Sequence, residues 1–202
     1  QDMIKDETIL RAKVRKLVTQ WSYSEAESLL IFMGMGKQAV PFLLEILSHH
    51  DESLLSRRVA AYVLSEIRDP ESVDILIQVL KDSNQDVTMY AAYALGKIKG
   101  NRIGLEMMRA LKDPYTRRNA AFVLGEIQYR TAVPVLLEML QTKNEDTYFL
   151  GTIADALGKI KDVKAMNGLL HAFDTAKSVM LRRDIIAALG QMRSTRATGR
   201  LI

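Results

Sequence analysis

The sequence predicts an all-α fold, a solenoid of about six helix pairs that follow an N-terminal capping helix. A phrase of about 30 residues recurs along the chain, which is typical of solenoid repeats. Each copy carries two apolar stripes with a period of 3.6, and no stretch alternates as a half-buried strand would. One helix pair cannot bury its own stripe. Successive copies are therefore expected to stack and share a continuous core.

Residues 1–23 are predicted to form the capping helix, and residues 24–202 a single repeat domain. Leu10, Val14, Leu17 and Val18 fall on one face of the capping helix. The stretch "SEAE" at 24–27 is a capping box that begins the next helix. An irregular first copy follows at 28–47, and Pro41 suits the first turn of its second helix.

Five regular copies follow, each with a first helix that ends in a small residue. The phrases are "AAYVLSEI" (60–67), "AAYALGKI" (91–98), "AAFVLGEI" (120–127), "IADALGKI" (153–160) and "IIAALGQM" (185–192), with Ser65, Gly96, Gly125, Gly158 and Gly190 as the small residues. Glycine at this place suits a left-handed cap at the end of the helix. The second helices are predicted to begin eight residues later, at Val73, Gly104, Val133, Met166 and Thr198.

The last copy stops at "RATGRLI", about one turn into its second helix. Because the end of a solenoid normally needs a polar capping face, the domain is predicted to be truncated at its C-terminal end. The prediction is that the chain is a fragment of a longer protein, or that Leu201 and Ile202 meet another chain; the alternative is a short frayed terminus.

The phrase "AAxxLGxI…AVPxLLExL" resembles the HEAT-like repeats of the phycobilin-lyase type, over residues ~24–202. It is carried by Ala120, Ala121, Leu124, Gly125, Ile127, Ala132, Val133, Pro134, Leu136, Leu137 and Leu140. The resemblance implies a right-handed α-α superhelix that usually binds other proteins. Some members act on bilin chromophores or nucleic acid. Another branch hydroxylates a lysine derivative with an iron pair held by His-Glu dipeptides.

The sequence contains no catalytic constellation. It has no P-loop, no GxGxxG and no HExxH, and it has no cysteine. None of His49, His50 and His171 is followed by Glu, so the iron-dependent branch is not expected. A metal at His49-His50 is the alternative to a charge cluster at a helix end. The chain is predicted not to be an enzyme, with no catalytic residues, cofactor or metal.

The net charge of +4 is concentrated in the second half of the chain. Residues 1–100 carry 12 basic and 14 acidic residues, and residues 101–202 carry the remaining 16 and 10. This bias is either a solvated surface or a preference for an acidic partner. A short basic stretch leaves nucleic-acid binding open as an alternative, with Arg102, Arg109, Lys112, Arg117, Arg118 and Arg130.

Arginine pairs recur seven and eight residues before the small residue, at Arg57-Arg58, Arg117-Arg118 and Arg182-Arg183. An anion-binding ladder is one interpretation of this pattern. The favoured interpretation is structural: such arginines would bond carboxylates or carbonyls in the turn between repeats.

Two outward-facing sets of residues are predicted to bind a partner. On the first helices, the aromatic residues Tyr62, Tyr90, Tyr93 and Phe122 point away from the core and are expected to form one continuous surface. On the second helices, a ridge of mixed polarity lies on the concave side by resemblance, with Glu45, Gln78, Arg109, Glu138 and His171.

These patterns favour a non-enzymatic scaffold for protein–protein interaction, located in the cytoplasm and without a membrane span. The partner is either another protein or a missing domain of the same chain. The alternative is a bilin-lyase-like chromophore accessory protein or a nucleic-acid-binding solenoid.

Overall fold

A computed structural model describes the backbone of residues 2–21, 25–142 and 146–199, and the side chains between residues 6 and 193 within these ranges. The described part of the chain contains twelve α-helices and no strand, so the all-α class is confirmed. The helices form two compact units, residues 1–98 and residues 99–202, which we describe separately.

The described residues of the first unit form six α-helices, and short 3-10 turns precede two of them. The helices are α1 (Asp2–Thr19), α2 (Glu25–Met35), α3 (Val40–Ser48), α4 (Leu54–Ile67), α5 (Val73–Val79) and α6 (Gln85–Ile98). The 3-10 turns, Gly36–Ala39 and Pro70–Ser72, lead into α3 and α5. The first helix, α1, packs against α3 and α4, with Val14 and Val18 buried. The capping box at 24–27 includes Ser24, which lies outside the described residues.

The second unit also contains six helices. They are α7 (Asn101–Ala110), α8 (Arg117–Glu126), α9 (Val133–Leu140), α10 (Thr147–Ile160), α11 (Ala165–Thr175) and α12 (Val179–Gly199). The first helices of successive repeats pack side by side, so that α10 contacts both α8 and α12. The predicted second-helix starts at Val73 and Val133 are confirmed, whereas α7 and α11 begin slightly earlier than predicted, at Asn101 and Ala165.

The left-handed caps do not lie on the glycines where the sequence predicted them. The residues with positive φ lie three positions later, at Arg68, Lys99, Gln128 and Lys161. Each of the four first helices continues past the small residue before it ends. The cap prediction is therefore wrong for the glycines, and the left-handed turn is made by exposed or half-buried polar residues instead.

The glycines serve close packing between neighbouring first helices. A Cβ atom on Gly125 would lie 2.7 Å from the Cα atom of Ala156, and one on Gly158 would lie 2.8 Å from the Cα atom of Ala188. Real Cβ contacts are almost never this short. The absence of a side chain thus allows α8 to approach α10, and α10 to approach α12.

The last predicted turn does not form. We predicted a helix end near Gly190 and a new helix at Thr198, but α12 is continuous from Val179 to Gly199. A Cβ atom on Gly190 would meet nothing within 4 Å. Gly190 carries the repeat phrase, but it packs against no neighbouring helix. The predicted contacts of Leu201 and Ile202 lie outside the described residues.

The structural interpretation of the arginine pairs is confirmed at two places. The Nε atom of Arg57 donates to the Leu47 carbonyl at 2.9 Å, and its guanidinium pairs with Asp82. In the same way, Arg182 donates from Nε to the Ala176 carbonyl at 2.8 Å. Each arginine therefore satisfies a carbonyl at the end of the preceding second helix, which has no partner within its own helix.

Candidate functional site

Three of the predicted partner-binding aromatics lie in the first unit. Tyr62 lies on α4, whereas Tyr90 and Tyr93 lie on α6, and all three are half-buried. Phe122 lies on α8 in the second unit and is also half-buried. We describe the two locations separately.

Tyr62 and Tyr90 line a pocket of about 330 Å³ in the first unit, which we call the aromatic pocket. It lies beside α4, between the α1–α2 junction and α6. Its seven lining residues are Trp21, Glu25, Leu55, Arg58, Val59, Tyr62 and Tyr90.

The floor of the aromatic pocket is one stripe of α4. Leu55, Arg58, Val59 and Tyr62 are spaced i, i+3, i+4 and i+7, so they fall on a single helix face. The start of α4 is fixed by Ser53, whose Oγ atom accepts from the Ser56 backbone N–H at 3.1 Å. This N-cap stabilises the first turn of α4, which carries Leu55 at the start of the stripe.

Trp21 forms the wall nearest α1. Its indole ring meets the Tyr62 ring edge-on, with centroids 5.8 Å apart and an interplanar angle of 75°. The indole ring also packs near the Phe32 ring of α2, with the two ring centroids 6.4 Å apart. Only 8% of Trp21 is exposed, so the wall is held by packing on both sides.

The Tyr62 hydroxyl stays protonated well above neutral pH. Burial raises the pKa of Tyr62, and the carboxylates of Glu66 and Glu25 raise it further, against a smaller opposing effect of Lys97. A neutral phenol both donates and accepts hydrogen bonds. The pocket thus offers a hydroxyl donor beside its apolar floor.

Arg58 is the charged group of the aromatic pocket. Its guanidinium lies over the Tyr90 ring, with Cζ 5.2 Å from the centroid, and Nη2 donates to the Tyr90 hydroxyl at 3.2 Å. Its Nε atom is buried and has no hydrogen-bond partner. Within the described residues no carboxylate lies within 4.0 Å of it, whereas Arg57 next to it pairs with Asp82.

The other two outer aromatics lie beneath ammonium groups. Lys97 Nζ lies 5.2 Å from the Tyr93 centroid, and Lys159 Nζ lies 5.2 Å from that of Phe122. Lys159 is fixed by Glu126 at 2.6 Å and Asp155 at 2.7 Å. Burial lowers the pKa of Lys159, but these two carboxylates outweigh it and the pKa is raised overall. Each ring therefore already has a cation–π partner on one face.

The residues of the predicted ridge on the second helices differ in exposure and in their contacts. Glu45 is engaged by the capping helix, through ion pairs with Arg11 and Arg15. Four members are exposed, namely Gln78, Arg109, Glu138 and His171. His171 also lines a cleft of about 600 Å³ in the second unit, between the ends of α9 and α11 and the starts of α10 and α12.

Family comparison decides how this architecture is classified. A family model described as HEAT repeats matches residues 40–111 and 105–190. These ranges cover most of the chain. The chain belongs to the HEAT-repeat family.

Three curated relatives of this HEAT-repeat chain have different names. Protein YibA of Escherichia coli K12 is 27% identical over 129 residues, 61% of this chain and 45% of the relative. A deoxyhypusine hydroxylase of Aspergillus niger is 44% identical over 85 residues, 41% of this chain and 25% of the relative. Phycocyanobilin lyase subunit alpha of Synechococcus elongatus is 34% identical over 96 residues, 42% of this chain and 35% of the relative. The chain spans less than half the length of each.

A solved structure shares the HEAT-repeat fold. The complex of CpcE and CpcF of phycocyanin lyase from Nostoc sp. PCC7120 superposes with a TM-score of 0.58 at 23% identity, over 80% of this chain and 68% of that one. At this identity the match shows the fold. The resemblance to phycobilin-lyase-type HEAT repeats, made from the repeat phrase, is confirmed.

Two properties bear on how this HEAT-repeat chain functions. The described residues contain no group of three or more His, Asp or Glu side chains that would hold a metal ion. By length and composition alone, the helical stretch Glu25–Ser48 is able to cross a membrane, a test that buried core helices also pass. In the structure a 3-10 turn at Gly36 separates α2 from α3, and most of α3 is buried.

Five lining residues of the aromatic pocket were not predicted as site residues, namely Trp21, Glu25, Leu55, Arg58 and Val59. The sequence carried a signal for Trp21, because it is the only tryptophan and precedes the capping box. Arg58 was grouped with Arg57 as structural. The two arginines have different environments because neighbouring helical residues point about 100° apart. Of the two, Arg57 is the one that reaches the preceding turn.

Proposed function

We propose that this HEAT-repeat chain is a non-enzymatic scaffold that binds another protein through the aromatic pocket. The observation that supports the proposal is the convergence of Trp21, Tyr62 and Tyr90 around one concave site with an arginine. Tryptophan, tyrosine and arginine are the residues that most often dominate the binding energy of protein interfaces. A concave aromatic site also removes water from an inserted side chain.

Two further surfaces belong to the proposal. Tyr93 and Phe122 extend the outer aromatic surface within their own units, although each shares its ring with a lysine. The exposed ridge residues are secondary contact residues within their own units, Gln78 in the first unit and Arg109, Glu138 and His171 in the second. We place both below the aromatic pocket in energy, because exposed polar contacts contribute little to binding. The cytoplasmic location also remains a proposal.

The proposal is tested by comparing three forms of the immobilised chain in the same native extract. The variant Tyr62→Ser/Tyr90→Ser removes two walls of the aromatic pocket. The control Tyr115→Ser removes a tyrosine that is 90% exposed and lies outside it. We expect a defined polypeptide to be retained by the wild type and the control, and to be reduced at least about tenfold with the double variant.

The folding of the double variant is checked by circular dichroism and thermal unfolding. If it stays helical and still retains the same polypeptide at the wild-type level, the aromatic pocket is not the binding site. A polypeptide lost from the control as well would reflect non-specific tyrosine contacts, and would also overturn the proposal.

A bilin-lyase-like role is the second candidate, favoured by the 34% identity to phycocyanobilin lyase subunit alpha. Such a role requires transfer of a bilin to an acceptor protein. The test mixes the chain with phycocyanobilin and an acceptor apoprotein, and measures covalent bilin by fluorescence of the denatured acceptor. Chromophore attachment above the uncatalysed level would replace the scaffold proposal by this one.

A further inference from the structure

We propose that the aromatic pocket binds an extended polypeptide segment in which an apolar side chain and an acidic side chain lie two residues apart. In this arrangement the apolar side chain enters beside Trp21, and the carboxylate pairs with Arg58. The inference rests on the proposed function, because it specifies the partner of the same pocket. It assigns to Arg58 a role in selecting that partner.

The apolar subsite follows from the walls of the pocket. Trp21, Leu55 and Val59 supply the apolar lining of the pocket, and Leu55 is 43% exposed. The cavity of about 330 Å³ lies at the lower end of the range for ligand pockets, about 300–1,000 Å³. It therefore accepts a side chain with a short piece of backbone. A whole helix does not fit.

The acidic subsite is inferred from the guanidinium nitrogens of Arg58 that have no hydrogen-bond partner in the described part of the chain. Among the described residues, Nη2 is the one guanidinium nitrogen with a hydrogen-bond partner, and that partner is the Tyr90 hydroxyl. A carboxylate stabilises a guanidinium beside apolar walls more than a phenol does, because it adds an opposite charge and can accept two parallel hydrogen bonds. Nη1 has no hydrogen-bond or ion-pair partner in the described part of the chain, which leaves it available to a ligand oxygen.

The second charged residue of the pocket fixes the orientation of the segment. Glu25 lines the pocket from the start of α2, whereas Arg58 contacts Tyr90 of α6. Glu25 forms no ion pair with Arg58 within 4.0 Å. A ligand carboxylate is repelled from the α2 side and attracted to the α6 side. The apolar side chain then occupies the side near Trp21.

The spacing of the two ligand side chains follows from the geometry of an extended chain. Its side chains at i and i+2 point to the same face, so an apolar and an acidic side chain that both enter the pocket are two residues apart. The α4 stripe from Leu55 to Tyr62 extends for about 10 Å, at 1.5 Å per residue. Because the floor is a stripe that continues over two turns, a segment can pass across it. The ligand carboxylate is therefore that of an internal Asp or Glu rather than a terminal carboxylate.

The test uses the indole N–H of Trp21 as the probe, because this is the only tryptophan and gives one indole signal in a ¹H–¹⁵N spectrum. The probe ligand is the peptide acetyl-Ser-Leu-Ser-Glu-Ser-amide. The neutral control replaces Glu by Gln. A third peptide, acetyl-Ser-Ser-Leu-Ser with a free carboxyl end, places the negative charge at the terminus.

We expect the Glu peptide to shift the Trp21 signal and to bind about tenfold more tightly than the Gln peptide, the usual effect of one charge-assisted hydrogen bond. Arg58→Gln should reduce the affinity for the Glu peptide by the same factor and leave that for the Gln peptide unchanged. Arg58→Lys should retain part of the preference. The matched control is Arg118→Gln, an arginine at the same repeat position that faces Tyr148 at 6.0 Å.

The outcomes separate this inference from the proposed function. Equal affinity for the Glu and Gln peptides overturns the acidic preference but leaves the pocket as an apolar docking site. A tighter complex with the terminal carboxylate overturns the choice of an internal acid. If no peptide shifts Trp21 while Tyr62→Ser/Tyr90→Ser still loses its captured polypeptide, the inference fails and the proposed function stands. The wild-type comparison of the peptides decides the preference even if Arg58→Gln does not fold.

Discussion

Arg68 ends α4 in a conformation that disfavours its own side chain. Its φ angle is 56°, and its backbone N–H donates to the Leu64 carbonyl as the left-handed cap. This conformation costs an ordinary residue roughly 1–2 kcal/mol, which glycine avoids. Glycine also lowers the stability of the fold by about 0.4–1 kcal/mol, because it raises the conformational entropy of the unfolded chain.

We therefore expect Arg68→Gly to raise the free energy of unfolding by up to about 1 kcal/mol. The measurement is urea unfolding followed by circular dichroism. Arg68→Ala is the control, because it removes the same exposed side chain and keeps the strained backbone. A glycine variant that is less stable than the alanine variant would contradict this account of the cap.

The buried Arg57–Asp82 pair makes the stability of the first unit depend on pH. Burial raises the pKa of Asp82, but hydrogen bonds from Arg57 and the Asn84 backbone N–H, with the charges of Arg57 and His50, lower it below 3.8 overall. A carboxyl with a lowered folded pKa stabilises the fold above its unfolded pKa. That stabilisation is lost as the pH falls through the folded value.

We expect Asp82→Asn to lower the unfolding free energy at neutral pH by about 3 kcal/mol, because it leaves Arg57 buried without its counter-ion. Between about pH 5 and pH 3 the wild type should lose stability faster than the variant, so that the two curves converge. Asp86→Asn, which removes an exposed carboxylate in the first turn of α6, just after Asp82, is the control. Parallel curves for wild type and Asp82→Asn would show that the pair does not govern acid sensitivity.

At the scale of helices, the same glycine of the repeat phrase has two different environments. Gly158 packs against Ala188 of α12, whereas nothing lies within 4 Å of the Cβ position of Gly190. We expect Gly158→Ala to destabilise the chain by about 1–3 kcal/mol through overpacking. Gly190→Ala should stabilise it by about 0.5–1 kcal/mol, because alanine is the better helix residue.

The measurement is again urea unfolding, with the two variants as controls for each other. Both add one methyl group at the same position of the phrase, and only the neighbouring helix differs. Gly125→Ala should behave like Gly158→Ala, since its Cβ would approach Ala156. Stabilisation by all three substitutions would show that the glycines are not packing contacts.

Much of the fold could be predicted because it depends on periodic patterns. The apolar stripes and the fixed offset of eight residues located α5 and α9 to the residue. The caps and the continuity of α12 could not be predicted, because the phrase is the same whether or not a neighbouring helix packs against it. The aromatic pocket was predicted only in part. Tyr62 and Tyr90 followed from helix phase, whereas the approach of Trp21 depends on how α1 and α2 pack.

At the scale of the whole molecule, the repeat architecture has consequences for unfolding. Each first helix packs mainly on its neighbours in the stack, as α10 does on α8 and α12. Stability in such proteins is approximately a sum of the stabilities of single repeats and their nearest-neighbour contacts. A local defect is then expected to weaken its own neighbourhood more than remote repeats, and hydrogen exchange reports on such local opening.

We expect Gly158→Ala to accelerate amide exchange in α10 and α12 by roughly tenfold, with a much smaller effect in α4 and α6. The reciprocal variant Asp82→Asn should accelerate exchange in α4 and α6 and leave α10 and α12 less affected, because Asp82 anchors the start of α6 to Arg57 of α4. The measurement is hydrogen–deuterium exchange followed by mass spectrometry of peptides from each helix. Equal acceleration of all helices by either variant would show that the chain opens as one cooperative block, against the nearest-neighbour account.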